Sequence, residues 1–147
     1  MRSALYIAAA ILTFAGTADA ATLEDVLASI KPIRAVSAAE MEEFTFDDGS
    51  AGRALKVPER GFFLTLKGAR DDIDALNLMF VVRKLDQVLA VYDVVGVAAD
   101  DAKASAWASQ ALANLGAGQK RRFGDREVEF REVAQNVLLV SVSKVPD

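Results

Sequence analysis

The chain alternates between two apolar spacings after an opening apolar run, Ala4 to Phe14, interrupted only by Thr13. Leu23, Val26, Leu27 and Ile30 recur at helical intervals and so share one face. Thr22 stands where an N-cap belongs, Glu24 and Asp25 suit the positive end of the helix dipole, and Lys31-Pro32 stops the helix. Ser37-Ala38-Ala39-Glu40 reads as a capping box, with Val36 and Met41 placed for a hydrophobic staple. This predicts a second short helix ending near Phe44, before a turn at Asp47-Asp48-Gly49-Ser50.

From about residue 53 the period becomes two. Phe62, Leu64 and Leu66 alternate with Phe63, Thr65 and Lys67, the mark of a half-buried strand, and Ala54 to Val57 is its hairpin partner across Pro58-Glu59-Arg60-Gly61. Residues 73–97 read as two strands. Leu76, Leu78, Phe80 and Val82 alternate in the first, Leu89, Val91, Val95 and Val97 in the second, with Arg83 to Gln87 as the turn. One long helix is the rival reading; valine richness favours strands. Ala104, Trp107, Ala108, Ala111, Leu112 and Leu115 form the apolar stripe of a main helix over residues 101–115, with Gly116 at its C-terminal end. Val128 and Phe130, then Leu138, Val140 and Val142, predict a closing hairpin. The expected fold is therefore α+β: two short N-terminal helices and an antiparallel sheet of about five to seven strands, with helix 101–115 packed on one face.

The opening run now acquires a meaning. Arg2 precedes it, and Ala18 and Ala20 follow at signal-peptidase spacing, so residues 1–20 read as a cleavable secretory signal and residues 21–147 as one domain. The run is well short of the roughly 20 residues that span a bilayer, so no stable membrane anchor is expected. The expected location is the periplasm or the exterior. The formal net charge is −4, and loss of Arg2 and Asp19 with the signal leaves it unchanged. That balance offers no general attraction to nucleic acid.

The chain has neither cysteine nor histidine. Disulfide scaffolds, Cys or His metal sites and nucleophile–histidine catalysis are thereby excluded. No catalytic residue, metal ligand or cofactor is assigned, and the composition points away from an enzyme. Ser141-Val142-Ser143-Lys144 matches S-x-x-K formally, but on a strand its serine and lysine point to opposite faces. The glycines at 116, 118 and 124 follow a helix and enter a strand, the reverse of a dinucleotide loop. The acidic clusters Asp47-Asp48 and Asp71, Asp72 and Asp74 lack calcium-loop spacing.

Three readings of function remain. The first is a non-enzymatic binding protein using an exposed strand edge or a basic patch at Lys120, Arg121, Arg122, Phe123 and Arg126, where cations flank an aromatic. Its partner is an unidentified protein. The second is a carrier or sensor of a small apolar ligand held between helix 101–115 and the sheet, at Trp107 and Ala111. The third is a carboxylate hydrolase, for which Glu127 and Glu129 share a strand face about 7 Å apart.

Overall fold

The computed structural model describes residues 21–146; the expected signal at residues 1–20 lies outside them. In chain order the elements are α1 (Leu23–Ile30), β1 (Glu42–Thr45), β2 (Ala51–Val57), β3 (Phe62–Ala69), β4 (Asp72–Val81), α2 (Leu85–Ala99), α3 (Ala102–Ala113), β5 (Gln119–Phe123), β6 (Arg126–Ala134) and β7 (Val137–Lys144). The seven strands form one antiparallel sheet in the order β1-β2-β3-β4-β7-β6-β5. The class is α+β.

The period of two decides which side chains meet the helices. Phe62, Leu64 and Leu66 of β3, Leu76, Leu78 and Phe80 of β4, Val128 and Phe130 of β6, and Leu138, Val140 and Val142 of β7 are buried on one face. All three helices contribute buried side chains to this core. Alternate residues such as Phe63, Thr65, Met79, Leu139 and Ser141 lie on the opposite, helix-free face and are half-buried.

Two local expectations are corrected. Residues 37–44 do not form a helix. Glu40 does accept from the Ser37 amide at 2.8 Å, as a capping box requires, but it closes only a single 3-10 turn over Ala38–Glu40. Beyond it Met41 turns into the core, and Glu42–Thr45 pairs with β2 as an edge strand. One α-helix and one turn therefore stand where two helices were expected.

Residues 73–97 are one strand and one helix, not two strands. The first half is β4, as its alternation indicated. The second is α2, whose buried positions Ala90, Val91, Val94, Val95, Ala98 and Ala99 follow helical spacing. Gln87 starts it: its side-chain oxygen accepts from the Arg83 amide at 2.7 Å and from the Lys84 amide at 3.1 Å, satisfying two backbone donors at the helix entrance. Valine's strand preference yields here to the burial of a whole helix face.

The helix pair α2–α3 turns on Asp100, held at φ 54°, and Asp101 then caps α3 by accepting from the Lys103 amide at 2.8 Å. Gly96 permits close approach, because a Cβ there would lie 3.1 Å from the Ser105 Cβ. This hairpin sets α3 against β5 and β6 at one end of the sheet.

Candidate functional site

Four residues of the basic cluster, Lys120 to Phe123, lie on β5, which is an edge strand, and the fifth, Arg126, opens β6. The register of β5 to β6 pairs Phe123 with Arg126, Arg122 with Glu127, Arg121 with Val128 and Lys120 with Glu129. Phe123 and Arg126 flank a two-residue loop, Gly124-Asp125, and therefore exchange hydrogen bonds; the pairing then alternates. The backbone N–H and C=O groups of Lys120 and Arg122 accordingly point away from β6, toward the open edge.

The same alternation divides the five side chains of the sequence cluster. Lys120 and Arg122 project to the helix-free face and are exposed. Arg121 projects to the helix side and is also exposed, its guanidinium 5.4 Å from the centre of the Phe123 ring. Phe123 and Arg126 are both 7% exposed and belong to the interior. Lys120 makes a long contact of 3.9 Å with Glu127, which on a solvated surface contributes little. Among the described residues Arg121 and Arg122 have no carboxylate within ion-pairing distance.

Arg126 has a different occupation. One guanidinium nitrogen donates to the carbonyls of Ile73 at 3.0 Å, Asp74 at 3.2 Å and Ala98 at 3.4 Å. It thereby ties β4 to the C-terminal end of α2, where carbonyls concentrate partial negative charge. Its Nε lies 3.5 Å from an Asp125 carboxylate oxygen, an ionic contact without hydrogen-bond geometry.

Trp107 on α3 stacks on Phe130 with ring centres 5.4 Å apart and meets Phe123 at a tilt, 5.5 Å away. Ala104, Ala108 and Ala111 are buried beside it, so short side chains let the indole reach the sheet. Ala111 thus lies in packed core and Trp107 at its margin. The exposed flank of Trp107 lines an open groove of about 500 Å³ between α3 and β5, with Asp101, Lys103 and Gln110 on one wall and Arg121, Arg122 and Gly124 on the other. The groove unites the tryptophan and the Arg121 side chain, which the sequence presented as separate features, while Arg122 borders it with its side chain on the opposite face of the strand. Lys103 and Gln110 were not singled out from the sequence; their position off the apolar stripe of α3 was the available signal.

The other sequence features are dispersed. Glu127 and Glu129 occupy the helix-free face, each beside a cation: Lys120 at 3.9 Å and Arg131 at 3.6 Å. Ser141 pairs with Asn77 and Glu129 on that face, while Lys144 lies 4.0 Å from Asp74. Asp48 binds Lys67 at 2.7 Å and closes the β1–β2 turn through the Ser50 amide and hydroxyl. The Lys67 ammonium, and then these Ser50 donors, hold its carboxyl well below the usual range. Among the described residues no group of three or more acidic side chains is arranged to hold a metal ion, and no helix is long and apolar enough to cross a membrane. No protein-family model matches the chain, nor does any curated protein or solved structure.

Proposed function

We propose that the chain is an exported, non-enzymatic binding protein that captures an acidic extended segment of a partner protein along β5. The carrying observation is the exposed basic edge strand beside the Trp107 groove. An incoming strand pairs with the outward backbone groups of Lys120 and Arg122. Its alternate side chains fall on the helix-free face, near Lys120 and Arg122, and into the groove, near Arg121 and Lys103. Acidic residues on both faces complement these cations.

Export rests on the sequence of residues 1–20, and the non-enzymatic reading on the lack of histidine and cysteine. The apolar-carrier reading has less support, since Phe123 and Phe130 pack against Trp107. The hydrolase reading is weakened by the cations beside Glu127 and Glu129.

Trp107 is the only tryptophan and borders the groove, so its emission reports occupancy. A twelve-residue peptide repeating Glu-Glu-Val-Val, which sets glutamates on both faces of a strand, is expected to shift that emission saturably, more weakly as salt rises. Arg121→Glu/Arg122→Glu is expected to weaken binding by at least about tenfold, a loss of about 1.4 kcal/mol. An unchanged affinity in this variant, or equal binding of the lysine–valine counterpart, refutes the proposal.

A further inference from the structure

A second cleft lies at the opposite end of α2. The helix is 15 residues long, which separates its two ends by about 20 Å. The cleft is built by three connections: the segment after α1, the turn between β2 and β3, and the passage from β4 into α2. Its volume is about 550 Å³, within the range of small-molecule sites.

Its chemistry is two-sided. The floor is apolar: the half-buried Ile33 and Val57 line it, backed by Phe62 and Phe80, which are 4% and 2% exposed and belong to the core. The rim carries Arg34, Arg60 and Arg83, one from each connection. Arg34 lies 5.8 Å from the centre of the Phe62 ring and pairs with Glu40 at 3.2 Å. Arg60 and Arg83 are exposed, and among the described residues no carboxylate lies within ion-pairing distance of either, although Glu59 shares the rim. Three separate segments each deliver an arginine to the mouth of a pocket whose base is apolar.

The geometry points to a binding site for a small amphipathic carboxylate, one anionic head on a short hydrocarbon body. Planar guanidinium forks match a carboxylate in two-point contact, and unpaired arginines retain that capacity. Ile33 and Val57 take the hydrocarbon, whose burial supplies a driving force that a bare anion lacks. Neither half suffices alone: a neutral chain forgoes the arginines, and inorganic phosphate forgoes the floor. The site is independent of the β5 groove.

The test is calorimetric titration of the protein, purified as its own cell yields it, with octanoate, 1-octanol and inorganic phosphate in turn. Octanoate is expected to bind saturably at one site, and the other two at least about tenfold more weakly. Arg60→Gln/Arg83→Gln, at exposed positions whose side chains take no part in the core, is expected to weaken octanoate by a similar factor. Arg121→Glu/Arg122→Glu, in the remote groove, is expected to leave it unchanged. The proposal fails if octanoate does not saturate, if octanol or phosphate binds as well, or if the Arg60/Arg83 variant binds like the parent chain. Equal loss in the Arg121/Arg122 variant also overturns it, because the response is then to overall charge.

Discussion

Arg126 and Arg121 are both arginines of one hairpin, and their burial assigns them opposite roles. The Arg126 guanidinium is enclosed and donates to carbonyls of β4 and α2. Truncation leaves buried acceptors without a donor and a cavity where the side chain lay. Arg126→Ala is expected to cost about 2–4 kcal/mol in urea unfolding. Arg121→Ala, at an exposed position, is expected to stay within about 0.5 kcal/mol of the parent. Equal stability of the two variants would contradict the structural role of Arg126. The sequence cluster was therefore real as a run of charge but mixed in purpose. Strand alternation and the enclosure of the hairpin's inner end decide which cations remain exposed.

Elements differ in how openly the sequence declared them. β3, β4, β6 and β7 have one face under helices and one without, so their apolar residues alternate and their core faces were legible. Helix α3 was legible for the same reason: its polar residues lie off the stripe. Helix α2 is apolar around much of its circumference, at Leu85, Val88, Leu89 and Tyr92 as well as its six buried positions. In such a valine-rich segment the polar face is reduced to a narrow strip, Asp86 and Asp93, too sparse to reveal its period. β1 was hidden by a capping box that closes only one turn. The cleft arginines come from three distant segments, and nothing in their local sequence places them together. The β1–β2 hairpin bears its own prediction. The folded-state pKa of Asp48 is depressed, so its contribution is complete above the ordinary aspartate value of about 4 and disappears as pH falls through the lower folded value. Glu24, drawn down by Arg70, and Glu40, drawn down by the Ser37 amide and Arg34, act in the same direction. Melting temperature is expected to fall as pH drops from about 5 to about 2, and Asp48→Asn to fall less steeply from a lower start. Parallel curves for the two proteins would remove Asp48 from the acid response.

At the scale of the whole molecule, the strand order concentrates stability in the middle and leaves both edges available. β4 and β7 are central, carry side chains with almost no exposure at Leu76, Leu78, Val140 and Val142, and lie beneath α2. β1 is exposed along all four residues, and β5 along its three cations. Local opening takes place where few apolar contacts must be broken. Amide hydrogen exchange is therefore expected to be slowest in β4, β7 and the buried face of α2, and fastest in β1. The same measurement separates edge pairing from side-chain attraction at β5. In the free protein, the Arg121 and Phe123 amides point to β6, whereas those of Lys120 and Arg122 face solvent. An acidic segment that joins the sheet as an eighth strand must bond the second pair. Saturating peptide is expected to slow exchange at Lys120 and Arg122 by at least about tenfold, with β1 unaffected. If the peptide binds and these two amides keep their free rates, its attachment is through the cationic side chains alone, and β5 is a charged surface without being a template.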